Sequence, residues 1–389
     1  MKRSVIFGAM LAVCGLASVH AQTYTFTDLG HASGVASAAA NINNFGQVVG
    51  LVQDANGWNY AVTWQDGQAT QLGLASTNWG ASDRFSNPWG MSGSAVGIND
   101  AGQIAWTNTD LNKAVYATVW ANGVTTALGT LGGAQSDARG INQAGQIVGR
   151  AQDANGNWRA VVWSGGQPTE LVTPNASSSS RATAINNAGQ IVGYEQRQSE
   201  QFPLHPVQWD QGVASSLDES LGHTNTHLPN AYGLNDLGQI VGSVKAPNTV
   251  DYYRAVLWDH GVSSMLDMPS GFYAAEAKDI NNAGQIVGFM LSHDRNVDFR
   301  AATWINGQVI DLNSLLPASV VDAGWVLLGA NAINEVGQIV GQARNTKTGV
   351  IDAFVLTPVP ESGTWALMLL GLGAMAIHAR WRSPRKREA

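Results

Sequence analysis

The residues with the clearest chemical potential lie in segments between regular repeats. Residues 74–96 carry Trp79, Arg84, Phe85 and Trp89. Aromatic rings held on a loop stack on the apolar C–H faces of sugars, and a neighbouring guanidinium donates paired hydrogen bonds to oxygens. Tyr252, Tyr253 and Arg254 repeat the combination. The expected chemistry is binding of an extracellular polysaccharide, with Trp79, Arg84, Trp89, Tyr252, Tyr253 and Arg254 as the contact residues. A bland alternative is that each ring packs under its own loop.

Other chemistries find less support. His223 and His227 have i, i+4 spacing, but nothing around them has a helical pattern, so no metal site is expected. Asp54-Ala55-Asn56-Gly57 and Asp153-Ala154-Asn155-Gly156 resemble fragments of calcium loops without the closing Glu; they read as polar turns. No nucleophile elbow, His-Glu-x-x-His or phosphate loop is present. No catalytic residues and no cofactor are therefore expected. Two other readings stay open. One is a glycosidase or lyase whose carboxylates converge in a central channel; the other is a scaffold that binds proteins.

The scaffold holding these segments is legible as a repeat. An apolar-Asn-x-x-Gly-Gln motif starts at Ile42, Ile98, Ile141, Ile185, Leu234, Ile280 and Ile333. Each copy is followed by a strand ending at Trp64, Trp120, Trp163, Trp209, Trp258 or Trp304, and in the seventh by Ala353-Phe354-Val355-Leu356. Asn at the first position and Gly at the fourth fit a turn closed by a left-handed glycine. Gly193 and its equivalents suit a bulge or close backbone approach. A Gly soon after most Trp residues marks a second turn.

Each unit is then four short antiparallel strands in roughly 45 residues, the pattern of a propeller blade. The seventh unit lacks its fourth strand, and an unassigned strand, Tyr24 to Leu29, precedes the first. The N-terminal strand can therefore close the ring and leave no open edge, a complementarity that a β-solenoid would not produce. The expected fold is all-β: a seven-bladed β-propeller over residues 22–357. The Asn turns and post-Trp turns share one rim. Segments 74–96, 194–206, 218–232, 243–253, 289–299 and 312–331 fall on the other, where function concentrates.

Both ends of the chain read as addresses. Residues 1–21 have Lys2 and Arg3, an uncharged apolar stretch and Val19-His20-Ala21, the layout of a secretory signal. Residues 358–389 open with Pro358-Val359-Pro360-Glu361, continue as an apolar run over 364–379 and end in Arg380, Arg382, Arg385, Lys386 and Arg387. That run reads as a single transmembrane helix, with the basic end on the cytoplasmic side. Between the ends, 14 basic residues face 27 acidic ones, which excludes a nucleic-acid surface. The sole cysteine, Cys14, lies in the signal, so no disulfide framework is expected.

Two resemblances follow from these residues. The Asn-x-x-Gly-Gln units resemble the extracellular HAF repeat family, although the naming His-Ala-Phe triplet is here Arg159-Ala160-Val161, Arg254-Ala255-Val256, Arg300-Ala301-Ala302 and Asp352-Ala353-Phe354. The C-terminus resembles the PEP-CTERM sorting tail of Gram-negative bacteria, with Pro360-Glu361-Ser362 at the box. The resemblance implies export across the inner membrane, passing residence there, an exosortase-type processing enzyme as partner, Pro360 and Glu361 as the sorting signal, and a role beside exopolysaccharide or biofilm.

Overall fold

A computed structural model describes residues 23–74, 97–109, 114–174, 179–197, 204–217, 230–245, 253–292 and 299–360. Seven four-stranded antiparallel sheets stand around a central channel. Six of them run in sequence order from the channel outwards; blade one is Ala36–Ile42, Val48–Gln53, Asn59–Gln65 and Gln68–Leu74. In blade seven the outermost strand is Tyr24–Gly30, paired antiparallel with Ile351–Pro358 from Tyr24↔Pro358 to Gly30↔Ala353. The ring is thus closed by the N-terminal strand, as the strand count requires.

The turns follow the local chemistry of the repeat. The glycine of every Asn turn has positive φ, 83° at Gly189 for example. Each Asn N–H donates to the carbonyl of the motif's Gln, as from Asn186 to Gln190. The post-Trp turns are two-residue hairpins with positive φ at both positions, such as Gln211-Gly212 and His260-Gly261. That geometry matches the right-handed twist of the paired strands. Asp54 and Asp153 are turn residues too: each carboxylate accepts the N–H groups two and four positions ahead.

Packing between blades comes from the third strands. Trp64, Trp163, Trp209, Trp258, Trp304 and Phe354 are all buried, and each inserts into the core of the preceding blade. Trp209 lies against Val148, Ala160 and Val162, with its indole N–H on the Val172 carbonyl at 2.8 Å.

One expectation shifts. Strands reach further into the variable segments than the repeat pattern shows: Phe289 to Ser292 continue a strand, and all of 325–331 belongs to the inner strand Trp325–Ile333. Backbone pairing extends these strands past the motif because the neighbouring strand offers partners. Among the described residues no helix is long and apolar enough to cross a membrane; the run at 364–379 lies outside them.

Candidate functional site

The channel is a cavity of about 570 Å³, and the inner strands that line it share a defect. In the six inner strands described over this stretch, pairing slips by one residue, between Ala39 and Asn41, Ala138 and Gly140, Ala182 and Ala184, Ala231 and Gly233, Ala277 and Asp279, and Ala330 and Ala332. The unpaired residue is a β-bulge, which turns one side chain out of the alternation of the strand. These residues, Ala40, Arg139, Thr183, Tyr232, Lys278 and Asn331, all line the channel.

The bulge has a visible cause in the sequence. Opposite it stands a glycine: Gly50, Gly149, Gly193, Gly242, Gly288 or Gly341. A Cβ there would fall inside contact distance of the facing carbonyl, that of Asp137 opposite Gly149 and of Glu276 opposite Gly288. The close approach expected of Gly193 is therefore present, against the Arg181 carbonyl.

Four positions before the motif Asn, every one of the seven repeats has Ala; three positions before it, no two of the six bulge residues are alike. The first position is held constant by the fold; the second varies, and some of its side chains also bond to the next blade, Asn331 to the Ala39 carbonyl at 2.7 Å and Thr183 to the Ala231 carbonyl at 2.8 Å.

Around that ring the charges are neighbourly. Lys278 lies 3.8 Å over the Tyr232 ring and 2.7 Å from Glu276, a desolvated cation–π and ion-pair arrangement. Arg139, Arg150 and Arg181 gather about the buried Asp137, at 3.7, 2.5 and 3.2 Å. Asp279 accepts the Ile280 N–H on one oxygen and the Ile333 N–H of the next blade on the other. Burial nevertheless pushes its carboxyl up to about 7, with Glu335 adding repulsion.

The tight-turn mouth of the channel is framed by two concentric hydrogen-bond rings. In the first, the buried motif Asn of each blade donates its side-chain N–H to the carbonyl of the next motif Asn, from Asn43 round to Asn334 and back to Asn43. In the second, the following residue of each blade donates its N–H to the next one's side-chain oxygen, through Asn44, Asp100, Gln143, Asn187, Asp236, Asn282 and Glu335. Glu335 is pushed up by burial and then by Asp236 and Asp100, against the Asn282 N–H. Asp236 loses some hydration, yet the N–H groups of Asn187 and Asn282 hold it below the usual carboxylate range.

Of the residues expected to bind, Trp79, Arg84, Trp89 and Tyr252 lie outside the described residues, as does Glu361. Tyr253 and Arg254 begin a third strand, Tyr253–Asp259, and are half-buried rather than displayed. Arg254 donates to the Leu266 carbonyl at 3.3 Å. Pro360 follows the last strand and is exposed. The motif Asn and Trp residues are turn and packing residues, as expected. Their bonds from blade to blade were not foreseeable from one repeat. Among the described residues no three His, Cys, Asp or Glu side chains gather as metal ligands.

Comparison with known proteins bears on the fold. No family model matches the chain, and no curated protein sequence matches it. The β-propeller domain of the trilobed protease from Pyrococcus furiosus superposes with a TM-score of 0.54 at 11% identity, over 82% of this chain and 95% of that one. The acylaminoacyl peptidase of Pyrococcus horikoshii gives 0.52 at 13% identity, over 88% of this chain and 55% of that one. The class is that of β-propellers. The P. furiosus domain is described as having an open velcro topology, whereas here Tyr24–Gly30 completes the last blade.

A pH test isolates Asp279. Its folded carboxyl is raised, so its contribution to stability is full below the unfolded value near 4 and is lost as pH rises through about 7. Asn41 fills the same place in blade one and accepts the Ile42 N–H at 2.8 Å, so the fold already accepts an amide there. We expect Asp279→Asn to gain about 2 kcal/mol relative to the parent between pH 4 and pH 8, half the full linkage because the channel admits water, on top of a pH-independent loss from the Ile333 N–H that the amide nitrogen no longer accepts. Thermal melts of both proteins from pH 4 to 8 check this; a difference that does not change with pH would refute it.

Proposed function

We propose that the chain is an exported, non-catalytic propeller that binds extracellular polysaccharide through its channel and the rim of variable segments. The observation that carries this reading is the set of bulges. A repeat that is uniform one residue earlier places Arg139, Thr183, Tyr232, Lys278 and Asn331 in one cavity. Hydroxyl, amide, guanidinium, ammonium and ring are the groups that recognise a polyhydroxylated ligand, by directional hydrogen bonds and one stacking surface. Trp79, Arg84, Trp89 and Tyr252 extend the same chemistry along the rim by sequence position. Residues 1–21 serve as the export signal. Residues 358–389 serve as a sorting tail, with Pro360 and Glu361 as the signal, a membrane-spanning run at 364–379 and an exosortase-type enzyme as partner.

The reading is tested with residues 22–357 and the purified exopolysaccharide of the source organism, by calorimetry, with chain length followed in the same samples. We expect saturable binding, no shortening, and a loss of roughly tenfold or more in affinity for Tyr232→Ala and for Arg139→Met, each about 1.4 kcal/mol, with Tm as the folding control. Binding unchanged by both substitutions would move the site out of the channel. Shortened polysaccharide would favour a glycosidase or lyase, for which Asp100, Asp236 and Glu335 at the mouth supply carboxylates. Neither binding nor shortening would favour a protein partner.

A further inference from the structure

Both ends of the described chain leave the propeller at one place. Ile351–Pro358 runs towards the rim of tight turns, and the modest space beside the Asn turn of blade seven is taken by Pro358, 3.2 Å from where a Cβ on Gly337 would stand. The N-terminal strand starts beside it: Tyr24 pairs with Pro358, and the Val359 N–H donates to the Thr23 carbonyl at 2.9 Å. The opposite rim receives the blade crossings and the links between second and third strands.

We infer that the propeller is held with its tight-turn rim towards the membrane that carries the tail, and presents the crossing-loop rim and that end of the channel to the polysaccharide. This rests on the reading of residues 364–379 as a membrane-spanning run.

Distance decides it. Residues 359–363 separate the last strand from the apolar run, and five extended residues reach roughly 17 Å. The inner strand of blade one has seven residues, so a blade is about 23 Å tall before its loops are added. The linker is too short to run back along the blade and bring the crossing-loop rim to the membrane.

Charge sets how the near rim sits. Its Asn turns and post-Trp turns contain Asp66, Asp100, Asp210, Asp236, Asp259 and Glu335, and no Lys or Arg. Such a face is repelled by anionic lipid over a Debye length of about 8 Å at physiological salt. The rim therefore stands off the bilayer within the reach of the linker, and the channel is left open on the far side.

The test uses the full chain with Cys14→Ser, which removes its only cysteine. Single cysteines are placed at Phe45 or Leu237, exposed on the tight-turn rim, and at Asn56 or Asn155, exposed on the other. Each is labelled with a donor dye, and the protein is reconstituted in vesicles of phosphatidylethanolamine and phosphatidylglycerol containing an acceptor-labelled lipid. We expect energy transfer from positions 45 and 237 to exceed that from 56 and 155 at least twofold, and to rise with added salt as repulsion is screened. Equal transfer from the two rims, or stronger transfer from 56 and 155, overturns the orientation. A chain that floats free of the vesicles overturns the tail reading itself, and the inference with it; removal of residues 364–389 shows what that outcome looks like.

Discussion

Removal of residues 22–30 is expected to abolish the monomeric propeller. The strand Tyr24–Gly30 supplies the outer edge of blade seven and covers the backbone of Ile351–Pro358. Tyr24 is buried, and its hydroxyl meets the Gln285 amide of blade six at 3.1 Å. Phe26 stacks on Phe354 at 6.2 Å and packs on Trp325 at 5.5 Å. Beyond the strand, His31 reaches the buried Asp352 at 2.7 Å, and Ser37 donates to the Gly30 carbonyl. Burial of Tyr24 and Phe26 alone is worth on the order of 4 kcal/mol, and the exposed strand becomes an edge that pairs with other chains. Size-exclusion chromatography should show aggregates or edge-paired oligomers, with the cooperative melt lost. A soluble monomer with the parental Tm would mean that the ring is held shut by something other than this strand.

The second large effect belongs to the inter-blade tryptophans. Trp209→Ala empties a space between blades three and four that Val148, Ala160, Val162 and Leu171 line. It also removes the donor from the Val172 carbonyl. Buried Trp-to-Ala changes cost about 3–5 kcal/mol, since the surroundings only partly collapse. For a ring of this length that is a fall of roughly 5 °C in Tm. Trp58 is the control: it sits on a turn, 51% exposed, and Trp58→Ala should change stability by less than about 0.5 kcal/mol. Equal losses at the two positions would show that third-strand Trp residues do not carry the blade contacts. Trp209 also tests the coupling between packing and site, because Thr183 of the same blade lines the channel and donates to the Ala231 carbonyl of the next blade at 2.8 Å.

These two predictions concern parts of the fold that differ in how they could be read. The closing strand was legible from counting, since a repeat missing one strand at its end and carrying one extra at its start has a single way to leave no edge unpaired. The tryptophans were legible as packing residues from their spacing, but not their direction into the preceding blade. The aromatic and Arg positions beyond the repeats gave the polysaccharide hypothesis, yet Tyr253 and Arg254 are half-buried in a strand that backbone pairing extends. The channel residues were missed, although a signal was present: invariant Ala four positions before the motif Asn beside a divergent third position.

The sequence by itself determined the number of blades, the turn types and the closure. The blades and turns depend on contacts within a few residues: Asn at a turn start, Gly where φ must be positive, alternation along a strand; the closure, a pairing of the two ends of the propeller, follows from the strand count. Only the tertiary structure decided that Arg139, Tyr232 and Lys278 share one cavity, and that seven Asn side chains form an unbroken ring. Those relations join residues from 43 to 291 positions apart. They exist because a glycine in each second strand lets the facing strand bulge, and because the circle closes on itself, which no single repeat encodes.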